Sequence, residues 1–431
     1  MDYKQACRHI FLDYRQMSSF CQAPLVFTRA DGVYYWDVEG KRYIDGISGI
    51  FVAVLGHRHP RVLKAMREQL ERFAFSPPLH SVSDRALEYV EALREVLPEG
   101  LGVIKLLSGG SEATEAAMKL ARQYHKQTGH PSKYKVVSLY KGYHGATLGA
   151  LAATGTPKRK KVFEPLPAGF VKVPPPLCAR CGFEKTYPEC DLFCARFLEQ
   201  IVQQEGSETV SAVILEPIGN TGGVVVPPKG YLQKVREICD RCGLLLIYDE
   251  IITGFGRTGR MFAAQTFGVT PDILCMGKGM GGGYMPLAGI AVPEEVARAF
   301  WGPPEASVEF HHGHTFGANP LAAAVGLAVL GELVENDLSA RARELGRRLR
   351  TRLEGLGKFD VREVRGRGLL WGVDLGDTEL GLQFGRECLE RGLIVRADPD
   401  WFALAPPLIS TEAHIDEIGD IVEDAMAAVF G

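Results

Sequence analysis

The sequence predicts an α/β protein built on a parallel sheet. One observation is a set of short apolar runs in the middle of the chain, at 135–139, 211–215, 244–248 and 272–276. The other is the helical pattern between several of these runs, for example at 232–238. Strands that are apolar on both faces and separated by helices are typical of a parallel sheet covered on both sides.

Each predicted strand ends in side chains that can do chemistry. In chain order these are Tyr140, Tyr143 and His144, then Glu216, then Asp249, and then Lys278. Open α/β sheets bind their ligands at the carboxyl ends of the strands. We therefore expect one shared site built from these four strand ends.

The C-terminal part has a different pattern and predicts a smaller α+β unit. A charged amphipathic helix at 338–356 precedes strand patterns at 368–373 and 392–395, with a helix between them. Two short β patterns near the start, at 32–37 and 41–45, need a larger body to pack on. We expect residues 1–65 to contribute to the small domain, 66–320 to form the large domain, and 321–431 to form the C-terminal small domain.

Composition excludes several classes of protein. The 431 residues are 46% hydrophobic and 23% charged, which is ordinary for a globular chain. The chain has 49 Lys and Arg against 52 Asp and Glu, a formal net charge of −3. A net charge this small gives no strong attraction for nucleic acid or an anionic membrane, so neither is a predicted partner. No secretory signal or membrane span is visible, and ten cysteines then indicate reduced thiols in a cytoplasm.

A glycine-rich turn at 108–113 precedes an amphipathic helix. The apolar stripe of that helix consists of Ala113, Ala116, Ala117, Leu120 and Ala121. We expect Ser111 to be the N-cap and Glu112 to favour the positive helix end. Glycines before free N–H groups predict an anion site, typically for phosphate. A plain capped helix after a turn is the equally simple alternative.

Lys278 and Asp249 are the strongest candidates for catalysis. Lys278 follows an apolar strand and stands between glycines, so burial lowers its pKa and leaves a neutral amine that attacks a carbonyl to form a Schiff base. Asp249 ends an apolar strand and needs a cationic partner, such as a protonated ring nitrogen. The alternatives are a solvated loop lysine and a helix-capping acid.

Residues 249–259, with Lys278 placed 278 − 249 = 29 residues after Asp249, resemble the signature of the class III (ω-type) aminotransferases. These enzymes use pyridoxal phosphate (PLP). Further matches follow in family order, at 40–45 with 56–57, 110–113, 142–145, 216–217, 314–316, 319–320 and 405–408. The resemblance implies a fold-type-I transferase: a large domain with a mainly parallel seven-stranded sheet, plus a smaller α+β domain.

The resemblance also implies the roles of the site residues. Lys278 would hold PLP in a Schiff base and relay protons, and Asp249 would keep the pyridine nitrogen protonated. The other cofactor-binding residues implied are Gly110 and Ser111 at the phosphate, Tyr143 and Ile251 on the ring faces, Glu216 beside the ring, and Thr315 from the neighbouring subunit. A homodimer with its site at the interface, possibly paired into a tetramer, is therefore expected.

Substrate-binding residues are implied in the same way. Phe51 and Tyr143 fall at aromatic pocket positions, and Arg396 falls where related enzymes pair an arginine with a substrate carboxylate. A surface charge at a strand end is the alternative for Arg396. Ala146 stands where acetylornithine-type members carry an arginine, which argues against N-acyl diamino acid substrates.

The expected activity is transamination from a primary amine, a diamine or an ω- or β-amino acid to pyruvate or a similar keto acid. A racemase or aminomutase of the same family is one alternative, since it uses the same cofactor and lysine. A non-enzymatic PLP-binding protein is the other.

Three further features give weaker indications of function. A cluster of four cysteines leaves three interpretations open: a zinc site, reduced thiols or disulfides. Its members are Cys178, Cys181, Cys190 and Cys194. We favour reduced thiols and expect no metal. His311, His312 and His314 are expected to line the mouth of the site. The basic run at 158–161 has no stacking aromatic beside it in sequence and is interpreted as a solvated loop.

Overall fold

The computed structural model describes residues 1–376 and 378–431. The chain begins with short helices and a three-stranded antiparallel hairpin system. The elements are α1 (Tyr3–Ala6), α2 (Met17–Phe20), β1 (Phe27–Asp31), β2 (Tyr34–Asp37), β3 (Arg42–Asp45), α3 (Ser48–Phe51), α4 (Pro60–Arg72) and α5 (Asp84–Arg94).

The middle of the chain alternates between strands and helices. Its elements are β4 (Leu101–Leu107), α6 (Gly110–Gln127), β5 (Lys135–Leu139), α7 (Leu148–Ala153), α8 (Pro157–Lys160), β6 (Phe170–Val173), α9 (Phe193–Gln204), β7 (Val210–Leu215), α10 (Tyr231–Cys242), β8 (Leu245–Asp249), α11 (Ala263–Phe267), β9 (Ile273–Met276), β10 (Ala288–Pro293) and α12 (Glu294–Ala297). The predicted strands are all present, and each predicted boundary lies within one residue of the observed one.

The central sheet has the order β4-β10-β9-β8-β7-β5-β6 in the described part of the chain. Strands β9, β8, β7, β5 and β6 pair in parallel, and β10 is antiparallel to both of its neighbours. The mainly parallel seven-stranded sheet implied by the resemblance is therefore confirmed.

Both faces of this sheet are covered, as the apolar strands predict. In β7, Ala212 and Ile214 pack into one apolar cluster, whereas Val213 and Leu215 pack into another. Successive side chains of a strand point to opposite faces, so the two clusters lie on the two sides of the sheet. This double burial explains why the strands lack a polar alternation.

The C-terminal part adds helices and a second set of strands. Its elements are α13 (Pro320–Glu335), α14 (Leu338–Glu354), β11 (Glu363–Arg367), β12 (Leu370–Asp374), α15 (Gly381–Glu390), β13 (Leu393–Ile394), β14 (Arg396–Asp398), β15 (Trp401–Leu404) and α16 (Glu412–Phe430). An antiparallel sheet has the order β11-β12-β15-β14, and a further sheet has the order β1-β2-β3-β13.

The start and the end of the chain meet in this last sheet. Strand β13 pairs in parallel with β3, with Leu393 opposite Ile44. Helix α13 packs on α4 and α5. The domain boundaries at residues 65 and 320 stay predictions. Within the described residues, no helix is both long and apolar enough to cross a membrane.

Candidate active site

The sheet brings the predicted chemical residues to one edge. Strands β9, β8, β7 and β5 are successive neighbours, and Lys278, Asp249, Glu216 and Tyr143 stand at or just after their carboxyl ends. Asp249 and Glu216 both act on the charge of Lys278, so the three groups are within electrostatic reach of one another. The expected shared site is present in this arrangement.

Lys278 is held in a constrained turn directly after β9. Its φ of 46° lies in the left-handed region, which is uncommon for a residue with a side chain. A Cβ on the next residue, Gly279, would lie 3.0 Å from Val54 Cγ1, so this close approach favours glycine. Burial lowers the pKa of Lys278, and Arg396 adds to the effect, while Asp249 and Glu216 oppose it. The lowered pKa favours the neutral amine that the sequence analysis expected.

The Asp249 carboxylate is buried and fixed at both oxygens. Its Oδ1 accepts the Ile251 N–H at 3.2 Å, and its Oδ2 lies 2.9 Å from Nδ1 of His144. The sequence analysis placed His144 among the strand-end residues of the shared site but predicted neither its partner nor a specific role for it. The signal available was its position just after Tyr143 at a strand end, but its partner is 105 residues away in sequence.

Glu216 is held by two backbone donors. Its Oε1 accepts the Tyr143 N–H and its Oε2 accepts the Asn220 N–H, both at 3.0 Å. Burial raises the pKa of Glu216 to about 7; His144 lowers it and Asp249 raises it further. The carboxyl group therefore gains and loses its proton near neutral pH.

The glycine-rich turn leads into α6 two residues earlier than expected. Gly109 is the N-cap and Gly110 the first helical residue, so the prediction that Ser111 caps the helix is wrong. The Ser111 Oγ instead accepts the Ala146 N–H at 3.0 Å, because the chain at Gly145 packs directly against it. The backbone N–H groups at this helix start remain an anion-binding arrangement.

Ile251 connects the helix start to the lysine turn. A Cβ on Gly110 would lie 3.0 Å from Ile251 Cδ1, and a Cβ on Gly277 would lie 3.4 Å from Ile251 Cγ2. The isoleucine side chain therefore lies against the turn that precedes α6 and against the turn that carries Lys278. It forms an apolar wall between the anion-binding helix start and the amine.

Glu112 and His314 join α6 to the loop before α13. The His314 Nε2 lies 3.0 Å from Glu112 Oε1 and 3.2 Å from Ser108 Oγ. Despite partial burial, these contacts lower the pKa of Glu112. Thr315, next to His314, is exposed. Its predicted role in a neighbouring subunit's phosphate site stays a prediction.

These features fit a PLP-sized group. The start of α6 offers N–H groups to a phosphate, the buried Asp249 offers an anion to a protonated ring nitrogen, and Lys278 offers an amine to an aldehyde. Tyr143 is half-buried and its backbone is fixed by Glu216, so an aromatic side chain stands beside the same group.

Arg396 and Phe51, two of the predicted substrate-binding residues, lie in different surroundings. Arg396 is the first residue of β14, stacks 5.0 Å from the Trp401 ring and lies 3.4 Å from Asp398. Phe51 is 2% exposed and packs in an apolar cluster that includes Trp401. Their roles toward substrate stay predictions, and Arg396 is coupled electrostatically to both Lys278 and Glu216.

The four cysteines at 178–194 line one cavity together with Phe183 and Phe193. Each is a free thiol. Among the described residues, no three His, Cys, Asp or Glu side chains are grouped so that they hold a metal ion. The cavity is thus lined by reduced thiols and aromatic rings.

The interpretation of 158–161 as a solvated loop is wrong for Arg159. Residues 157–160 form the short helix α8, and Arg159 is half-buried with its guanidinium 5.0 Å from the Tyr143 ring. The aromatic partner was invisible in the local sequence because it lies 16 residues earlier in the chain.

Comparison with known proteins agrees with this site. The family model for class III aminotransferases matches residues 17–426. The aminotransferase YhxA of Bacillus subtilis is 38% identical over 94% of this chain and 92% of its own. An omega-aminotransferase of Caulobacter vibrioides is 34% identical, with 95% of each chain covered.

A solved structure has the same fold over the whole chain. The (S)-enantioselective omega-transaminase of Thermomicrobium roseum superposes with a TM-score of 0.95 at 37% identity, covering 100% of this chain and 98% of that one. Together with the family match and the lysine–aspartate site at the sheet edge, this similarity identifies the chain as a member of the class III, PLP-dependent aminotransferase family.

Proposed function

We propose that this transaminase moves an amino group from a primary amine, a diamine or an ω- or β-amino acid to pyruvate or a similar keto acid. The observation that carries the proposal is the position of the buried Lys278 amine directly after β9, at the sheet edge that Asp249 also occupies, with Arg396 near enough to act on its charge. The Lys278 amine reacts with a carbonyl and the Arg396 guanidinium binds a carboxylate with two hydrogen bonds, so both groups serve one substrate pocket. The omega-aminotransferase and omega-transaminase relatives support this reaction class.

In this proposal Gly110 and Ser111 hold the PLP phosphate, Asp249 faces the ring nitrogen, Tyr143 and Ile251 cover the ring faces, and Glu216 stands beside the ring. Bound PLP supplies a protonated pyridine ring that draws electrons from the donor carbon. The protein side chains select the donor and position the base, because the cofactor alone does neither.

Lys278 is the proton carrier. Burial lowers its pKa and so favours the neutral amine, and Nζ would accept a proton from the donor carbon and pass it on to the cofactor rather than back to the donor. The Asp249 carboxylate is held in one orientation by its contacts with His144 and the Ile251 N–H. Arg396 binds the carboxylate of the keto acid.

A spectrum of the purified protein tests this function. The PLP absorbance band should convert to the pyridoxamine form when a donor is added without keto acid, and pyruvate should then yield alanine in equal amount to the donor consumed. A band with no alanine produced favours a racemase or aminomutase. A band that no amine changes favours a PLP-binding protein without transaminase activity.

We also propose that the enzyme is a cytoplasmic homodimer in which Thr315 of one copy completes the phosphate site of the other. The test mixes Lys278→Ala and Thr315→Ala chains after dissociation. Random pairing makes half of the dimers mixed, each with one intact site, so activity should reach about a quarter of wild type. Activity no higher than the sum of the two variants would refute the shared site, and light scattering separates dimer from tetramer.

A further inference from the structure

The guanidinium of Arg159 lies beside two tyrosine rings, one of them Tyr143 of the candidate site. It lies 5.0 Å from the centre of the Tyr143 ring and 4.2 Å from the centre of the Tyr14 ring. Across residues 1–376 and 378–431, no carboxylate forms an ion pair with Arg159. A half-buried arginine without a counter-ion keeps its donors available to an anion.

Arg159 and Arg396 act on the same region. Burial lowers the pKa of Arg396; Asp398 opposes this, and the positive charge of Arg159 adds to it. Arg396 in turn lowers the pKa of Lys278. Arg396 is therefore within electrostatic reach of both Arg159 and Lys278, so the two cations lie near the same guanidinium.

The surroundings hold Arg159 in place. Helix α8 starts with Pro157 at its first turn, which fixes the backbone direction. The chain just before it is tightly packed, because a Cβ on Gly155 would lie 1.9 Å from the Leu139 carbonyl oxygen at the end of β5. Tyr14 neighbours Tyr143 and, after burial, is the next largest cause of the raised pKa of that phenol. Two rings and a rigid turn thus preorganise the guanidinium.

Space for a ligand is present beside α8. A solvent-open cleft of about 1190 Å³ has residues 155–158 on one wall and residues 398–401 on another. Trp401, on the second wall, is the ring on which Arg396 stacks. The cleft therefore lies between the start of α8 and the turn from β14 to β15 that follows Arg396.

We propose that Arg159 is a specificity-determining residue that binds the distal carboxylate of an ω-amino acid donor, while Arg396 serves the carboxylate of the keto acid. This inference rests on the proposed transaminase function and narrows it. It predicts a preference for donors that carry a terminal anion over alkylamines of the same length, because a charge-assisted bidentate contact is available only to the former.

The test uses the holoenzyme and matched donor pairs: 4-aminobutanoate against butylamine, and 6-aminohexanoate against hexylamine. The rate of PLP conversion gives kcat/KM for each donor in the first half-reaction. For at least one pair, Arg159→Gln should lower the ratio of kcat/KM for the acid to kcat/KM for the amine by about tenfold or more. Arg159→Lys should restore part of the ratio, since it keeps the charge but not the fork.

Two controls make the outcome specific. Lys158→Gln removes the neighbouring cation on the cleft and should leave the donor ratio within about twofold of wild type. Arg159→Gln should change KM for pyruvate in the second half-reaction by no more than about twofold, because Arg159 acts on Arg396 only through its charge. An unaltered donor ratio in Arg159→Gln, an equal effect of Lys158→Gln, or a change in KM for pyruvate as large as the change in the donor ratio would overturn the proposal.

Failure of the inference is distinguishable from failure of the proposed function. A wild-type enzyme that converts no donor contradicts the function, whereas one that converts alkylamines and acids with a ratio insensitive to Arg159 contradicts only the inference. If Arg159→Gln does not fold, inhibition of the wild-type enzyme by hexanoate decides. Competition with 6-aminohexanoate but not with pyruvate supports the Arg159 site, and competition with pyruvate alone overturns it.

Discussion

The Nδ1 atom of His144 lies 2.9 Å from Oδ2 of Asp249, and both side chains are buried. The other aspartate oxygen accepts the Ile251 N–H, so the carboxylate cannot rotate without losing a hydrogen bond. The pair joins the chain after β5 to the end of β8, across the intervening strand β7. We therefore propose that His144 is a positioning residue for the carboxylate that is predicted to face the cofactor ring.

Replacing His144 with Asn should lower kcat by roughly 10- to 100-fold, since the aspartate loses its orienting partner. The same variant should shift the pH dependence of the PLP absorbance band, which a purely structural defect would leave in place. His125→Asn is the matched control, because His125 is also buried but bonds the Ser211 carbonyl away from the site. Equal losses of kcat in the two variants would contradict the role of His144.

Replacing Lys278 with Ala should abolish turnover, with a loss of at least about 10²-fold, because the proton carrier is removed. The visible band of bound PLP should also change, and circular dichroism should match wild type. Lys234→Ala, on an exposed face of α10 beside Glu237, serves as the control. Full activity in Lys278→Ala would sink the assignment of this lysine.

Replacing Gly110 with Ala should weaken PLP binding by about tenfold. The added Cβ would lie 3.0 Å from Ile251 Cδ1, so the isoleucine or the helix start must move. Fluorescence titration of PLP measures the Kd. Gly355→Ala is the matched control, because a Cβ there meets nothing within 4 Å. An unchanged Kd in Gly110→Ala would show that Ile251 or the helix start moves without affecting PLP binding, and would contradict this prediction.

The pH dependence of stability should reflect Glu250. Its oxygens accept the N–H groups of Ala263 and Ala264, and burial raises its pKa from 4.5 to about 7. A raised pKa favours the protonated folded state, so this contribution is complete below pH 4.5 and is lost as the pH rises to about 7.

The free energy of unfolding of wild type minus that of Glu250→Gln should therefore fall, on the order of 3 kcal/mol, across that interval. Denaturant titrations at fixed protein concentration and several pH values measure this difference. A difference that stays constant or rises with pH would contradict the protonated state of Glu250. Glu237→Gln, at an exposed position, should show a flat difference.

Local sequence predicted the sheet and most of the site for a physical reason. A strand buried on both faces must be apolar along its length, so runs such as 211–215 are recognisable without any knowledge of their neighbours. A polar residue at the end of such a run stands out, and parallel pairing then places Asp249, Glu216 and Lys278 at one edge. The helix stripe of α6 was equally visible, because its 3.6-residue period is local.

Errors arose where a side chain had a choice of partners. Ser111 was expected to cap α6, but the Ala146 N–H, 35 residues later, takes its oxygen. Arg159 was interpreted as solvated, but Tyr14 and Tyr143 lie beside it. Both alternatives are locally reasonable, and only contacts across the fold decide between them.

The sequence by itself determined the α/β class and the order of the strands along the chain, since these depend on short-range periodicity, and it predicted Lys278 and Asp249 as catalytic residues from the cost of burying a charge and from the family resemblance. Tertiary structure alone decided which groups surround them. The pairing of His144 with Asp249 and the approach of Arg159 to Tyr143 and Arg396 depend on how crossovers and loops pack, and packing at this scale joins residues whose separation in sequence carries no local signal.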